Sequence, residues 1–399
     1  MAIHNIESFS AESFMTPAVK KIYTPSSQSF NTSHLQINHT AHPSSPPPSD
    51  SPTRNAPTDH MAQVTWSSSS GWSAPKILPY SPLTLDPSAS VLHYATSCFE
   101  GMKAWRGYDG NLRLLRPRYN CARMLASATR ASLPGFDTED LLNLIRTVLA
   151  IDGGKWAPAT QPGSVLYIRP TLIGTGDNLG YKVPDEAMLF VIVTVCPTIN
   201  PSTDSTAIGK KIRLLASDGN FVRAWPGGSG SAKISANYGP SLLAHHEANN
   251  AGCDQVLWLF GADGQVTEAG ASNFFVIWRT AQGTLEMVTP PLGDHTILPG
   301  VTRKSVLELA RAGFEDVEAV DVVERKFSIH DIITAAGENR LMSAFAVGTA
   351  FFIAQVERIR YGGLEINFSD APYIGLLQKG MLDIVLGKKP SPWTDIIQE

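Results

Sequence analysis

The chain has 399 residues, of which 43% are apolar and 17% are charged, and its formal net charge is −4. This length allows a large buried core and predicts two domains. The near-neutral charge argues against nucleic-acid and anionic-membrane partners, which usually require a basic surplus. Four cysteines far apart in the sequence, with no CxxC pair, argue against a disulfide framework or a zinc cluster. We therefore predict no nucleic-acid partner, no membrane partner and no metal site.

Residues 1–60 differ in composition from the rest of the chain. They are rich in Ser, Thr, Pro, Asn and His, and residues 43–57 read PSSPPPSDSPTRNAP. Such a segment has too little apolar surface to offset the entropy of ordering, so we predict that it is disordered. The early acids Glu7 and Glu12 are unlike a mitochondrial presequence. We expect a cytoplasmic protein, with the mitochondrion as the alternative.

Residues 61–196 have the pattern of a small N-terminal domain with both helices and strands. One helix is predicted to follow Pro117. A second is expected to begin after Asp137, a good N-cap residue, and to stop at Gly153 and Gly154. Apolar runs predict strands over 112–115, 165–172 and 188–196.

The second half of the chain is predicted to be a larger C-terminal domain over 210–399, joined by a polar interdomain loop at 197–209. A helix is expected over 238–250 and another after Gly300. Between them, short apolar runs separated by turns over 255–290 indicate an antiparallel meander. Strands and helices mixed in two blocks predict the α+β class.

A glycine-rich stretch, GGSGSAKISANY at residues 227–238, contains a candidate functional lysine, Lys233. A phosphate-binding P-loop needs glycine directly before the lysine, but Ala232 stands there. A nucleophile elbow, G-x-S-x-G, fails because Ser231 occupies the last glycine position. What remains is a lysine among small residues, where a planar ligand could approach the backbone.

Six ordered blocks of sequence resemble the eukaryotic-type branched-chain aminotransferases, which are fold type IV pyridoxal-phosphate enzymes. The blocks are LHYATSCFEGMKAW (92–105), LRLLRPRYNCARM (112–124), YIRPTLIG (167–174), FVRAWPGGSGSAKISANYGPSLL (221–243), QVLWLFGADGQVTEAGASNFF (255–275) and ILPGVTRKSVLEL (297–309). The resemblance implies a two-domain α+β fold with pyridoxal 5'-phosphate between the domains. It also implies a homodimer that transfers the amino group of L-leucine, L-isoleucine or L-valine to 2-oxoglutarate.

The resemblance assigns the cofactor-binding residues. Lys233 matches the lysine that forms the Schiff base, which requires a neutral amine. Glu268 matches the carboxylate facing the pyridine nitrogen, where a retained proton makes the ring an electron sink. Tyr238 matches the tyrosine that hydrogen-bonds the phenolic oxygen. The phosphate would be held by the matched arginine, Arg123, by the hydroxyl of Thr349, and by the amides of Val301 and Thr302 at a helix start.

A substrate pocket is implied by the same resemblance. It must accept a branched aliphatic chain and also the side-chain carboxylate of glutamate, so polar groups belong at its rim. Its aromatic walls are matched by Tyr94, Phe99 and Tyr167. The arginine for that carboxylate is matched by Arg169, and the turn that holds the α-carboxylate by Thr349 and Ala350.

Some positions near the expected cofactor depart from the family pattern. Ala271 and Ser272 stand where the family has threonine and methionine, and Ser231 and Ala232 precede the lysine in place of an Asn-Tyr type of pair. These changes leave Lys233 and its matched partners intact. They keep open a transaminase of the same fold with a changed substrate in a specialised biosynthetic pathway. A second alternative is a non-catalytic, phosphate-binding relative.

Overall fold

A computed structural model describes residues 10–22, 29–47, 56–177, 179–197, 211–315, 317–350 and 352–399. The chain divides into two units. Unit 1 consists of Met1–Asn200, Ala232–Ala236 and Asp383–Glu399, and unit 2 consists of Pro201–Ser231 and Asn237–Leu382. The predicted interdomain loop, 197–209, lies outside the described residues apart from Pro197.

The elements are labelled in chain order over the described residues. The helices are α1 (Pro17–Ile22), α2 (Ser90–Tyr94), α3 (Pro117–Arg130), α4 (Thr138–Trp156), α5 (Ser241–Asn250), α6 (Val301–Ala312), α7 (Ile329–Gly337) and α8 (Pro372–Val385). Short 3₁₀ turns cover Ala11–Phe14, Thr32–His34 and Ser235–Asn237. The strands are β1 (Gln36–Ile37), β2 (Pro57–Ser67), β3 (Gly71–Trp72), β4 (Lys76–Pro79), β5 (Ser97–Phe99), β6 (Met102–Arg106), β7 (Leu112–Leu115), β8 (Val165–Gly174), β9 (Glu186–Cys196), β10 (Lys211–Ala216), β11 (Gln255–Phe260), β12 (Gln265–Ala269), β13 (Ser272–Arg279), β14 (Leu285–Thr289), β15 (Asp321–Glu324), β16 (Leu341–Gly348), β17 (Phe352–Tyr361), β18 (Leu364–Asn367) and β19 (Thr394–Ile396).

Unit 1 is built on a sheet with the strand order β1-β4-β2-β9-β8-β6-β7-β19, to which β3 and β5 add at β2 and β8. Its pairings are antiparallel apart from β1 with β4. Helix α4 packs on strands β2, β8 and β9. The sequence predicts one apolar face for this helix, and the helix buries all of it: Leu141, Leu142, Ile145, Val148 and Leu149. Leu144 is buried as well.

The start of α4 is confirmed, whereas its predicted end is wrong. The Asp137 side chain accepts hydrogen bonds from the amides of Glu139 and Asp140, which makes it the N-cap. The helix continues through Gly153 to Trp156. A Cβ added at Gly153 would lie 2.7 Å from the Leu112 side chain. This glycine therefore permits close packing on β7 and does not end the helix.

The described residues 10–22 and 29–47 pack within unit 1. Phe30 is fully buried, and its ring meets the edge of Trp72 with centroids 5.4 Å apart. Phe14 makes a similar contact with Tyr119 of α3, at 4.7 Å. Strand β1 adds to the edge of the sheet beside β4. The prediction of disorder over 1–60 therefore does not hold for these residues. Residues 1–9, 23–28 and 48–55, the last of which belong to the Pro- and Ser-rich stretch 43–57, lie outside the described residues.

Unit 2 contains a second sheet, with the strand order β12-β11-β10-β17-β16-β13-β14-β15 and β18 added at β17. Because β12 also pairs with β13, this part of the sheet closes on itself. The strands in the closed circuit are β12, β11, β10, β17, β16 and β13. The predicted meander is confirmed as β11 to β14. The helix predicted over 238–250 begins later, at Ser241, after the 3₁₀ turn Ser235–Asn237.

Residues 232–236 and 383–399 belong to unit 1, although 210–399 was predicted to be one domain. The reason is tertiary pairing: Ile234 forms a β-bridge with Cys98, and β19 pairs with β7. Mixed helices and largely antiparallel sheets confirm the α+β class. In the part of the chain that is described, no helix has the length and apolar character needed to span a membrane.

Candidate active site

Lys233 lies in the short segment that belongs to unit 1, and its backbone is held from two sides. Its amide donates to the Ser127 hydroxyl at 2.8 Å, and its carbonyl accepts from the Phe99 amide at 3.1 Å. Its ammonium nitrogen lies 5.0 Å from the centre of the Phe99 ring. Strand β5 and helix α3 thus fix where the lysine side chain begins.

A buried ion pair joins the same helix to Glu100, the residue after β5. Arg123 donates from Nε to Oε1 of Glu100 at 2.6 Å and from Nη2 to Oε2 at 2.7 Å, and Asn120 adds a third bond at 2.9 Å. Burial opposes ionisation of Glu100, but the charge and hydrogen bonds of Arg123, with the charge of Lys233, outweigh it and hold the pKa of Glu100 below its usual value. Two nitrogens of Arg123 are therefore committed to Glu100.

Three of the predicted substrate residues come together near Lys233. Arg169 donates from Nη2 to the Tyr167 hydroxyl at 2.7 Å, and its guanidinium lies 4.8 Å from the Phe99 ring centre. The Nε of Arg169 is buried and has no hydrogen-bond partner among the described residues. A Cβ at Gly101 would lie 2.2 Å from the Tyr167 hydroxyl, so glycine is required there. The cluster offers aromatic walls and one unsatisfied cationic donor.

Tyr94 is placed differently. Its hydroxyl donates to the carbonyl of Leu179, and its ring lies 6.1 Å from that of Tyr181. It is 39% exposed, at the end of α2. The contacts described for Tyr94 do not include Phe99, Tyr167 or Arg169, so its predicted role as a pocket wall stays a prediction.

In unit 2, Glu268 is buried and held by three donors. Arg223 forms a salt bridge to Oε2 at 2.8 Å, with its side chain 5% exposed and that of Glu268 2% exposed. The Oε1 atom accepts from the Asn273 side-chain amide at 3.0 Å and from the Leu298 amide at 2.9 Å. Such donors fix the direction of the carboxylate, which suits it to hold a positively charged partner.

The start of α6 is fixed beside this carboxylate. Asn273 also donates to the Leu298 carbonyl at 2.8 Å, and a Cβ at Gly300 would lie 2.1 Å from its Oδ1. No described side chain caps the helix, and Val301 and Thr302 are buried. The first-turn amides and the positive end of the helix dipole therefore favour an anion at this point.

The predicted turn at Thr349 and Ala350 lies beside the same strand. Asn273 pairs with Val347 in the sheet, and a Cβ at Gly348 would lie 2.8 Å from the Ser272 hydroxyl. Unit 2 therefore gathers three predicted features around Asn273: the carboxylate, the helix start and this turn. Tyr238 also belongs to unit 2, directly after the 3₁₀ turn Ser235–Asn237.

Sequence reasoning missed several residues that orient the predicted ones. Their side chains are buried and polar, and their partners lie between 5 and 106 residues away in the sequence: Glu100, Ser127, Arg223 and Asn273. Each lies inside or next to a block that resembles the family. Their place inside a matched block was the signal available for Glu100, Arg223 and Asn273, whereas Ser127 lies just past a block and gave none.

Comparison with known proteins identifies the family. Residues 97–359 match the amino-transferase class IV family. The cytosolic branched-chain-amino-acid aminotransferase of Mus musculus is 45% identical over 341 residues, which cover 84% of this chain and 85% of that protein. The mitochondrial enzyme of Bos taurus is 41% identical over 373 residues, 92% of each chain.

Solved structures agree on the fold. The branched-chain aminotransferase of Thermoproteus uzoniensis matches with a TM-score of 0.66 and 23% identity, covering 84% of this chain and 100% of that chain. The enzyme of Thermobaculum terrenum matches with a TM-score of 0.67 and 20% identity, covering 87% of this chain and 100% of that chain. These findings confirm the resemblance: the chain belongs to the class IV aminotransferases, among the eukaryotic branched-chain-amino-acid aminotransferases.

Proposed function

We propose that this protein is a pyridoxal-phosphate-dependent transaminase that moves the amino group of L-leucine, L-isoleucine or L-valine to 2-oxoglutarate, with Lys233 as the Schiff-base lysine. The names of its relatives support the substrate class. One of the structural neighbours, a branched-chain amino acid aminotransferase, was solved with pyridoxamine 5'-phosphate, which supports the cofactor. The observation that carries the proposal is the buried Glu268 carboxylate, aimed by three donors beside an uncapped helix start.

The residues present fit this cofactor. A carboxylate held as Glu268 is held suits a protonated pyridine nitrogen, and the amides of Val301 and Thr302 suit a phosphate. Arg123 would add a positive charge near the phosphate, and Thr349 a hydroxyl. Tyr238 would donate to the phenolic oxygen.

When bound, pyridoxal phosphate supplies an aldehyde that captures amino groups and a ring that accepts the electron pair of the broken Cα–H bond. Lys233 holds the cofactor between reactions, and its amine moves the proton from the substrate's Cα. Phe99 and Tyr167 exclude water around that amine and contact the aliphatic chain. Arg169, whose Nε has no partner among the described residues, donates to the side-chain carboxylate of glutamate and so binds it.

An exposed apolar patch supports the proposal of a homodimer. Leu179, Tyr181 and Val183 are 61%, 95% and 65% exposed within a short stretch of unit 1. Exposed apolar patches mark protein interfaces, and these three side chains would contribute to such a patch. The compartment stays a prediction, because the relatives include both cytosolic and mitochondrial enzymes.

A substrate panel with 2-oxoglutarate as acceptor tests the function. We expect kcat/KM for the three branched-chain amino acids to exceed that for alanine by about tenfold or more, since even one missing methylene is worth about 10–200-fold in an apolar pocket. Aspartate and phenylalanine serve as a charged and an aromatic comparison. Turnover of another donor alone would support the changed-substrate alternative instead.

Borohydride reduction and peptide mapping test the mechanism. We expect a pyridoxyl adduct on Lys233 in the wild type and none in Lys233→Ala, which should be inactive. The matched control is Lys211→Ala, because Lys211 is an exposed lysine paired with Asp370. A colourless wild-type protein with no adduct would instead identify a non-catalytic relative.

A further inference from the structure

We propose that Ser127 is a positioning residue for Lys233: its buried hydroxyl fixes the backbone from which the reactive amine extends. This inference rests on the proposed function of Lys233. Ser127 is 1% exposed and lies on α3, which is distant in sequence from the lysine it contacts.

The Ser127 hydroxyl has two partners that fix its orientation. It donates to the Arg123 carbonyl at 2.9 Å, so its oxygen lone pairs are left to accept. It accepts the Lys233 amide at 2.8 Å. One hydroxyl therefore ties the lysine segment to the helix turn that also carries Arg123.

The other side of the segment is held by backbone groups. The Phe99 amide donates to the Lys233 carbonyl at 3.1 Å, and Cys98 forms a β-bridge with Ile234. These contacts hold the carbonyl side of the lysine peptide, whereas Ser127 holds its amide side. Without the hydroxyl, the segment can tilt about the remaining contacts.

Helix α3 is a rigid support for this contact. The Arg123 guanidinium is held by two bonds to buried Glu100, whose own amide donates to the Pro170 carbonyl at 2.9 Å. Ser127 is one helical turn away from that anchor. The position of the amine is thereby set by the helix and the sheet together, and an error of about 1 Å in a reacting group can cost roughly a hundredfold in rate.

The test compares Ser127→Ala with Thr129→Ala as holoenzymes. Thr129 lies on the same helix and makes the same kind of bond, to the Leu125 carbonyl at 2.9 Å, but the contacts described for it do not include the lysine segment. We expect Ser127→Ala to lower kcat about tenfold or more while KM for leucine changes less than about twofold, and Thr129→Ala to change neither.

A second readout does not depend on turnover. The pH at which the visible absorbance of the holoenzyme changes should move in Ser127→Ala and stay in Thr129→Ala, because only the first alters the surroundings of the amine. If Ser127→Ala precipitates, Ser127→Cys replaces it with the same expectations, since a thiol is a poorer acceptor.

The outcomes separate two failures. An active wild type in which Ser127→Ala equals Thr129→Ala in both kcat and absorbance would overturn the role of Ser127 and leave the proposed function standing. A wild type that transaminates none of the branched-chain amino acids would contradict the proposed function itself.

Discussion

Replacing Arg123 with methionine leaves the Glu100 carboxylate buried without its guanidinium partner. Glu100 is 0% exposed and Arg123 is 3% exposed, and the two are joined by bonds of 2.6 and 2.7 Å. Breaking a buried pair from one side costs about 3–5 kcal/mol. The matched control is Arg118→Met on the same helix, where the Arg118 and Glu139 side chains are 33% and 48% exposed. An exposed pair contributes about 0–1 kcal/mol, so the control should change little.

The loss of stability in Arg123→Met should depend on pH, because the pKa of Glu100 changes. In the wild type the pKa of Glu100 lies below its usual 4.5, because Arg123 outweighs the effect of burial. That pairing contributes stability above the unfolded-state pKa, and the contribution is lost as pH falls through the folded-state pKa. In Arg123→Met burial raises the pKa of Glu100, so the variant loses stability as pH rises, by about 1.4 kcal/mol per pH unit until the raised pKa is reached.

Urea unfolding of the wild type and the variants at about pH 5 and about pH 8 measures this difference. We expect the destabilisation by Arg123→Met to be larger at the higher pH. The double variant Glu100→Gln/Arg123→Met should recover much of the loss and abolish the extra pH dependence. Equal destabilisation at both pH values, or a double variant less stable than the single one, would refute this reasoning.

Two further changes test features of the fold. Phe30→Ala should lower the free energy of unfolding by about 3–5 kcal/mol and speed proteolysis of the N-terminal segment, because it empties a buried site beside Trp72. An unchanged urea midpoint would mean that Phe30 does not anchor this segment to unit 1. Gly300→Ala should displace Asn273, lower the free energy of unfolding by about 1–3 kcal/mol and weaken cofactor retention on dialysis. The control Gly293→Ala should behave as the wild type, because no atom lies within 4 Å of its added Cβ.

Local signals predicted much of the secondary structure. The strand over Leu112–Leu115 has the predicted bounds, and Asp137 is the predicted N-cap. The meander β11 to β14 follows from short apolar runs and turn residues, which act over a few positions. These features depend on neighbours in sequence, and a single sequence contains that information.

The predictions that failed depend on distant partners. Gly153 resembles a helix stop, but it is needed for contact with Leu112. The first 47 residues are polar, but a few buried anchors such as Phe30 hold the described parts on unit 1. Assignment of Lys233 to unit 1 depends on contacts with Phe99 and Ser127, which no local pattern specifies.

The site was predicted by resemblance more than by pattern. Lys233 alone was a lysine among small residues, and the family blocks supplied its partners. The structure adds the groups that orient them, such as Asn273, which joins Glu268 to the start of α6. Their roles arise from geometry, so a single sequence identifies them poorly.

The edge of the unit 1 sheet has a consequence for biosynthesis. Strand β7 is made early, but its outer partner β19, in which Thr394 pairs with Leu115, is synthesised near the end of the chain. Until then β7 presents unpaired backbone groups, the kind of edge that promotes association between chains. The Ser127 hydroxyl likewise lacks its Lys233 partner until the chain is 106 residues longer. The sheet of unit 1, most of which is synthesised before unit 2, therefore keeps this open edge until β19 has been made.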